Sequence, residues 1–285
     1  MPFSFYVEQA LNGISWAALL FVLASGLSLI FGVMQIANIT HGALYLLAGF
    51  TGMTLVLLTG SYVLGVALAV VTAGVCGILI ERVALKPVRG QPLPEMLLTS
   101  VLAFVMGDAV LWGWGGDAKI ISPPRLLNGS VDLFGLPYPR VRIAIFLVGV
   151  AVAIGLWYFL AHTRLGVIVR AGVDDREMVA SLGIDVRAVF TAVFCLGAML
   201  AGLAGVMGST MLTVYPGFEW TVLLLAFVVV IIGGMGSLAG AVLGSLVVGL
   251  LDTFGKALFP ELAYFTIFGS MAVVLALRPK GLLGR

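Results

Sequence analysis

The stretch "VRIAIFLVGVAVAIGLWYFL", residues 141–160, decides the class of fold of this protein. Its only charged residue is Arg142, near its start. An α-helix of about 20 apolar residues spans a hydrocarbon core of roughly 30 Å. Within lipid every backbone N–H and C=O group must be paired internally, so only helices and closed barrels cross a membrane. The run is too long and too continuous for the alternating strands of a barrel. The stretch therefore predicts a membrane-spanning helix.

Apolar runs of this kind recur along the whole chain. Its 285 residues are 61% hydrophobic and 10% charged, with a mean hydropathy of +1.18, whereas soluble domains are roughly 25% charged. We therefore expect an all-α, polytopic helical membrane protein in which residues 1–285 form a single transmembrane domain. It has eight or nine membrane segments, since the two runs around Gly233 can also form one interrupted segment. The predicted segments are residues 12–31, 42–59, 62–80, 95–112, 141–160, 188–208, 220–235, 237–251 and 261–277.

The distribution of positive charge indicates the orientation. Three segments hold ten of the 15 Lys and Arg residues, and by the positive-inside rule they face the cytoplasm. With nine crossings the N-terminus is outside and the C-terminus is cytoplasmic. Eight crossings require one segment, near Asn38 or Gly233, to turn back inside the membrane. The basic residues are Arg82, Lys86 and Arg89; Arg164, Arg170, Arg176 and Arg187; and Arg278, Lys280 and Arg285.

The longest irregular stretch, residues 113–142, is then external. Its Pro and Gly content excludes a continuous helix, and "SVDLFGLPYPRVRI", residues 130–143, can form a small hairpin. The loop either only connects two spans or also covers a cavity or docks an external partner.

The segment "HTRLGVIVRAGVDDREMVASLGIDVR", residues 162–187, concentrates eight charged residues between two apolar runs. Asp174 is a good N-cap residue, and Glu177 follows at the spacing of a capping box. Gly183 lies where a left-handed C-cap is expected. These signals predict a short cytoplasmic helix, Asp175 to Leu182.

Two interpretations of this helix stay open. Two turns are marginally stable alone in water, and Met178, Val179 and Leu182 would share one face that needs to be buried. The helix either docks in a groove of another protein or rests on lipid headgroups, where the neighbouring arginines meet anionic lipids.

A polar break interrupts the segment "FGVMQIANITHGALYLLAGF", residues 31–50. Irregular backbone at membrane depth is tolerated only where it is buried in protein or lines a cavity, so such breaks point to a transport pathway. Asn38, Thr40 and His41 are therefore candidates for lining that pathway. The alternative for His41 is a buried imidazole bonded to backbone.

A second segment, "IGGMGSLAGAVLGSLVVGLL" at residues 232–251, has a similar outline, with Gly and Met entering a break of small residues. Gly233, Gly234 and Gly236 are pathway candidates if the break is flexible. Alternatively these glycines only allow close helix packing.

Asp108, in "AFVMGDAVLWGW", is the one acidic residue predicted well inside a span. A carboxylate within the membrane suggests function, so Asp108 either lines the pathway or lies at the outer rim. Glu81, Arg82 and Glu95 fall at span ends and are expected at the interface. Because His41 and His162, the two histidines of the chain, fall in different parts of it, no metal site is expected.

The chain resembles bacterial branched-chain amino acid ABC permeases, of the shorter of their two types. Residues 162–187 are similar to the coupling segment of that family, and "GLSLIFGVMQIANITHGALYLLAGF" (26–50) to its first signature. "ERVALKPVRG" (81–90) resembles its first cytoplasmic loop, and "IIGGMGSLAGAVLGSLVVGLLD" (231–252) its Gly-rich late segment. Ile39 and Thr40 depart from the more usual aromatic-Ala pair.

The resemblance implies the ABC importer permease fold with interrupted helices, in a bacterial inner membrane. It implies a second permease subunit, forming a hetero-dimer, and two cytoplasmic ATPases that use ATP and Mg. An external binding protein would deliver a branched-chain or other hydrophobic amino acid. Related permeases also serve urea, short amides and aromatic acids. The implied coupling residues, which would dock on an ATPase, are Arg170, Asp174, Asp175, Glu177, Met178, Leu182 and Gly183.

The sequence lacks the signatures of an enzyme. "GLLDTFGKA", residues 249–257, has five residues between its glycines where a P-loop has four, and Ala follows its Lys. We therefore expect a transport subunit without catalytic residues or a cofactor of its own, in contact with membrane lipid and not with nucleic acid. An ion-coupled secondary transporter or channel is the competing class, with Asp108 as its one candidate for proton or ion coupling.

Overall fold

The computed structural model describes residues 2–133, 135–174 and 176–284. Over these residues the chain is a bundle of helices, which confirms the all-α fold class. The helices are α1 Phe3–Met34, α2 Thr40–Thr59, α3 Tyr62–Leu79, α4 Pro92–Trp114, α5 Arg140–His162, α6 Arg164–Asp174, α7 Arg176–Ser181, α8 Val186–Met211, α9 Phe218–Gly233, α10 Leu238–Leu258 and α11 Ala263–Leu277.

Shorter elements complete the chain. A π-helical stretch, Ile80–Leu85, and a 3-10 turn, Lys86–Val88, extend α3. A second 3-10 turn, Pro260–Leu262, precedes α11. Strands β1 Ser130–Leu133 and β2 Leu136–Pro139 pair antiparallel. The hairpin predicted in the loop between α4 and α5 is therefore confirmed.

Each of the nine predicted membrane segments corresponds to a helix. Within the described residues eight helical stretches are long and apolar enough to cross a membrane. The remaining one, α9, has 16 residues, about 24 Å at 1.5 Å per residue, so it covers most of a hydrocarbon core. The predicted count of eight or nine is confirmed. Helix α1 begins at Phe3, earlier than the predicted residue 12, and α6 was not predicted from the sequence.

Helix α1 lies at the centre of the bundle. Of its most apolar 18 residues 94% are buried, against 11% for the last span. A helix that is apolar on all sides is suited to such a position. Helices α8, α10, α5 and α9 surround α1, and α2, α3 and α8 form a second packed group beside it. The outer faces of α3, α4, α5 and α11 remain for lipid or for other subunits.

Small residues allow the central helices to approach closely. A Cβ atom on Gly249 of α10 would lie 2.7 Å from Ala17 Cβ of α1, and one on Gly13 would lie 2.9 Å from Leu250 Cδ2. Close contact of backbones at small residues is the usual way in which membrane helices associate. Gly236, just before α10, lies beside Gly32 near the end of α1, so the two helices run antiparallel.

The bundle has two distinct ends. Arg89 pairs with Glu81, and the Glu81 carboxylate accepts a bond from Thr191 near the start of α8. The contact of Ile30 with Gly197 places the last turn of α1 near the same part of α8. We call this the basic end, because the positively charged segments meet there. The hairpin lies at the opposite end, which we call the hairpin end.

Candidate translocation and coupling sites

The first break separates α1 from α2. Gln35 ends α1 with a φ of 57°, the one left-handed value of a residue other than Gly among the described residues. Residues 35–39 then run without helical structure. Ile36 and Asn38 are nevertheless buried. Gln35 itself is exposed, so the break leads from the surface into irregular backbone enclosed by protein.

The Asn38 side chain orders the break. Its Oδ1 accepts hydrogen bonds from Thr40 N at 3.1 Å and from Thr40 Oγ1 at 2.6 Å. Asn38 precedes the N-cap residue Ile39, and this local bond from a side chain to the backbone two residues on orders the chain where α2 begins. The Ile39 amide donates to Thr99 Oγ1 of α4 at 3.4 Å. Asn38, Thr40 and Thr99 are all fully buried.

His41 packs in the core of the bundle. Its Nε2 donates to the Leu23 carbonyl of α1 at 2.9 Å, and the side chain has no exposed area. The structure thus agrees with a buried imidazole bonded to backbone. Its Nδ1 atom has no hydrogen-bond partner among the residues that the structure describes, so it stays available to a water molecule or a solute. Lining of the pathway by His41 stays a prediction.

The first break begins at the end of α1 and leads into α2 inside the bundle. A Cβ atom on Gly26 would lie 3.0 Å from His41 Cε1 and 2.8 Å from the Gly197 carbonyl oxygen. His41 is therefore level with Gly197 of α8. Thr191 precedes Gly197 by six residues, about 9 Å along a helix. Backbone at this depth persists only where protein or enclosed water surrounds it.

Three buried polar atoms follow one another along this part of the chain. Asn38 Nδ2, His41 Nδ1 and Tyr45 Oη each lack a partner within the described part of the chain. His41 and Tyr45 are four positions apart in α2, the spacing of one helix face, and Asn38 lies in the break just before α2. Buried polar groups are nearly always satisfied by protein or water. This row is therefore the best candidate for a polar track through the core.

The second break, between α9 and α10, is a tight turn. Gly234 and Gly236 have φ values of 107° and 78°, which residues with a Cβ atom rarely adopt. Gly233 contacts the Gly240 backbone, and a Cβ atom on Gly236 would lie 3.0 Å from Gly32 Cα at the end of α1. The contacts here agree with the interpretation of these glycines as packing residues. Their assignment to the pathway stays a prediction.

The C-terminal tail holds this turn. The Leu282 amide donates to the Ile232 carbonyl at 2.8 Å, and the Leu283 amide donates to the Gly233 carbonyl at 2.9 Å. These carbonyls belong to the last turn of α9, which has no partners within its own helix. The tail therefore acts as the C-terminal cap of α9.

Asp108 lies apart from both breaks. It is exposed on α4, on the same side as Phe104, Val105 and Trp112, which are also exposed. Six residues separate it from the end of α4 at Trp114, about 9 Å. The structure does not bring it together with Asn38 or His41. Asp108 can line a pathway only on the outer surface of this chain.

The charged segment 162–187 folds into two short helices instead of one. Helix α6, Arg164–Asp174, packs against the end of α5 and buries Val169. The Arg170 guanidinium donates to the Leu160 carbonyl of α5. The prediction missed α6 because its apolar residues continue the preceding span. Arg170 therefore ties α6 to a membrane helix.

The predicted coupling helix corresponds to α7, Arg176–Ser181. Asp174 ends α6 instead of opening α7, Asp175 lies outside the described residues, and Glu177 falls in the first turn of α7. The left-handed conformation predicted for Gly183 is confirmed by its φ of 77°.

The apolar face predicted for α7 is only partly buried. Val179 is 4% exposed, whereas Met178 is 59% exposed and Leu182 is 71% exposed. Of these three side chains this chain buries only Val179, so burial of Met178 and Leu182 against another protein or lipid headgroups stays a prediction. Met178 and Leu182 present apolar surface at the basic end.

A buried ion pair at the basic end is not predicted from the sequence. Glu81, expected at the interface, is fully buried and pairs with Arg89. Thr191 Oγ1 donates to Glu81 Oε2 at 2.5 Å, and the Arg89 guanidinium lies 5.3 Å from the Phe190 ring centroid. Such pairing offsets the cost of burying both charges. The pair fixes the segment after α3 to the start of α8.

Glu95 was also expected at the interface and is buried instead. Its Oε1 accepts a 2.7 Å hydrogen bond from the Gly90 amide, which closes the loop before α4. Arg82, by contrast, is exposed, in agreement with its predicted interfacial position. Among the described residues no three His, Cys, Asp or Glu side chains are grouped to hold a metal ion.

Comparison with known families accounts for nearly the whole chain. The family profile described as "Branched-chain amino acid transport system / permease component" matches residues 9–277, which include both breaks and segment 162–187. The chain belongs to this family. It is a membrane permease subunit of an ABC importer, and the resemblance inferred from the sequence is confirmed.

Individual relatives agree with the family match. The high-affinity branched-chain amino acid transport system permease protein BraD of Pseudomonas aeruginosa is 29% identical over 295 residues, covering 98% of this chain and 96% of BraD. The permease protein LivH of Escherichia coli K12 is 26% identical over 303 residues, covering 99% and 97%. The ribose import permease protein RbsC of the same organism is 25% identical over 284 residues, covering 96% and 83%. No solved structure matches the chain.

Proposed function

We propose that this permease carries branched-chain or similar hydrophobic amino acids into a bacterial cell. The observation that carries the proposal is the similarity to branched-chain amino acid permeases along nearly the full length of both chains. A second permease subunit completes the membrane unit, two cytoplasmic ATPases hydrolyse ATP with Mg, and an external binding protein delivers the substrate. The basic end then faces the cytoplasm, which places the N-terminus outside and the C-terminus inside.

Coupling to the ATPases involves α7. Its exposed Met178 and Leu182 offer apolar surface to a groove on an ATPase, and charged residues flank them. Apolar anchors within a charged rim are the usual composition of a docking contact. Helix α7 contacts α8 directly, so movement of α7 would reach α8. It would reach α5 through the neighbouring α6, which Arg170 ties to α5. Two packed arrangements of these helices would give outward and inward openings.

The pathway involves the row of Asn38, His41 and Tyr45. Its unpartnered polar atoms would bond to water or to a passing solute in one of the two states. Thr40 supports the row by bonding to Asn38. The glycines of the second break would contribute by letting α9 and α10 move against each other.

Asp108 would join the pathway at the contact between the two permeases. A charged side chain on a lipid-facing surface costs about 2.5–3.5 kcal/mol at the middle of a membrane helix on insertion scales. Intramembrane charges therefore usually face protein or water. We propose that the α4 face around Asp108 is covered by the second permease and that the carboxylate lines water between them.

Reconstitution tests the proposal. The complete importer, purified from its native membrane and placed in liposomes with its binding protein, should take up leucine only when ATP and Mg are supplied to the ATPases. Uptake driven by an ion gradient, with a chain that purifies alone, would contradict the proposal in favour of a secondary transporter. If the liposomes take up urea, short amides or aromatic acids with ATP, and do not take up leucine, the protein is an importer subunit but the proposed substrate is wrong.

The coupling assignment has its own test. Leu182→Asp places a charge in the proposed apolar contact, so ATP-driven uptake should fall by about tenfold or more. Leu126→Asp is the matched control, since Leu126 is 85% exposed in the loop between α4 and α5. Equal uptake by both variants, with the ATPases still bound, would show that Leu182 does not carry the coupling contact.

A further inference from the structure

A cavity of about 430 Å³ lies between α1, α9 and α10 at the hairpin end. Arg142, which follows the hairpin, lines it, and so do Met211 and Leu212 at the end of α8. The hairpin is fixed beside the cavity, because Tyr138 Oη donates to the Leu11 carbonyl of α1 at 2.9 Å. Small-molecule sites commonly have volumes of roughly 300–1,000 Å³. The cavity is therefore large enough for a small solute.

The cavity combines both signs of charge. Arg142, Asp252 and Lys256 are its charged lining residues. Arg142 Nη1 donates to Asn12 Oδ1 at 2.5 Å, which uses one of its five N–H groups. Lys256 Nζ donates to Asp252 Oδ2 at 2.8 Å. The Asp252 side chain is 5% exposed, whereas that of Lys256 is 62% exposed and can move.

Trp16 supplies an unused donor. It lines the cavity and is 7% exposed, and its Nε1 atom has no partner within the described part of the chain. An indole N–H group can only donate, and a buried donor without an acceptor destabilises the fold. An acceptor supplied by a ligand would remove this cost.

One wall of the cavity is apolar. Phe218, Val222 and Leu225 of α9 line it at helical spacing. A cavity with an apolar wall and a few convergent polar groups is the usual composition of a small-molecule site. The ligand that fits has a carboxylate, an ammonium group and an apolar side chain.

We propose that this cavity binds a hydrophobic amino acid as its zwitterion. The carboxylate accepts hydrogen bonds from Arg142 and Trp16, the ammonium donates to Asp252, and the side chain packs on α9. The proposal rests on the proposed function for the identity of the solute as an amino acid. A lipid phosphate is disfavoured, because it would face the Asp252 carboxylate.

The cavity and the first break both lie beside α1. Trp16 and Leu23 both belong to α1 and are seven residues apart, about 10 Å along the helix. The Leu23 carbonyl accepts the bond from His41. A solute held beside Trp16 is thus about two helical turns from the polar row. The site would hold the amino acid after release from the binding protein and before passage.

Direct binding to the permease tests the inference. The importer complex in nanodiscs, without its binding protein, should bind radiolabelled leucine in a scintillation proximity assay. Arg142→Gln and Asp252→Asn should each weaken binding by about tenfold or more, since hydrogen bonds to charged groups are lost. Trp16→Phe, which keeps the ring and removes the donor, should weaken it by about threefold.

Matched controls separate the site from general effects. Arg140→Gln and Trp157→Phe alter exposed residues outside the cavity lining and should bind leucine like the wild type. 4-Methylpentanoate lacks the ammonium group and isopentylamine lacks the carboxylate, so each should compete at least about tenfold more weakly than leucine.

The outcomes distinguish this inference from the proposed function. ATP-driven leucine uptake by the complete importer, without leucine binding to the complex or with binding unchanged in all three cavity variants, would overturn the cavity site alone. Co-purified phospholipid that disappears in Arg142→Gln, in place of leucine, would also overturn it. Absence of leucine uptake by the wild type would overturn the proposed function, and the amino acid site with it.

Discussion

The two breaks of this permease look alike in sequence and differ in the structure. Both place Gly and Met before a short irregular stretch and Gly-Ala after it. The first is enclosed beside α1 and α8 and retains unpartnered polar atoms at Asn38 and His41. The second is a glycine turn at the basic end, and the C-terminal tail satisfies its carbonyls.

The two breaks differ in which groups form hydrogen bonds with their backbone. At the second break, Leu282 and Leu283 supply the missing donors from the far end of the chain, so the turn is closed and leaves little for a solute to bind. At the first break, side chains of Asn38 and Thr99 serve the backbone. The side-chain bonds at the first break leave Asn38 Nδ2 and His41 Nδ1 without a partner among the described residues. We therefore expect substitutions at the second break to affect folding, and those at the first to affect transport.

The largest effect is expected for Gly234→Val. A φ of 107° is strained for a residue with a Cβ atom, and that atom would lie 2.6 Å from Gly284 Cα. Strain of this kind costs about 3 kcal/mol, so most of the folded protein should be lost in fluorescence-detected gel filtration. Gly155→Val is the control, because a Cβ atom there meets open space. Normal yield of the Gly234 variant would mean that the turn rearranges readily.

Asn38→Leu should act on transport instead. The side chain accepts two hydrogen bonds, worth about 0.5–1.5 kcal/mol each. We expect ATP-driven uptake to fall by about tenfold while folded protein remains detectable. Asn128→Leu, in the exposed loop between α4 and α5, is the control. If uptake per folded molecule is unchanged, the first break is structural like the second.

Shortening the tail should have a graded effect on stability. A chain ending at Gly281 lacks both donors to α9, which should cost about 2 kcal/mol and lower the thermal unfolding temperature. A chain ending at Leu282 retains the bond to Ile232 and should lose about half as much. Identical unfolding temperatures for both truncated chains and the full chain would show that the tail does not cap the turn.

The smallest effect is expected for Asp108→Asn, since the carboxylate belongs to neither break. If the second permease and water cover it, uptake should fall by about two- to fivefold, because one charged group in a wide pathway is lost. Asp132→Asn on the hairpin is the control. Wild-type kinetics for Asp108→Asn, measured with the same binding protein, would place the carboxylate at the outer rim.

The features predicted correctly from the sequence are local in origin. The membrane segments follow from runs of about 20 apolar residues, since lipid allows only internally paired helices. The hairpin follows from the turn residues between Ser130 and Pro139, and the left-handed Gly183 from its position just after the short helix α7. In each case neighbours in the sequence are also neighbours in space.

What only the tertiary structure decided depends on contacts between distant residues. Thr191 bonds to Glu81 across 110 positions, and Arg142 bonds to Asn12 across 130. Hydrophobic periodicity does not indicate such partners, so the sequence alone predicts neither the burial of Glu81 nor the position of Trp16 beside a cavity. The sequence by itself therefore determined the membrane class, the spans and the family. Which polar groups are satisfied, and which remain for a solute, depended on helix packing, because only packing brings distant donors and acceptors within hydrogen-bonding distance.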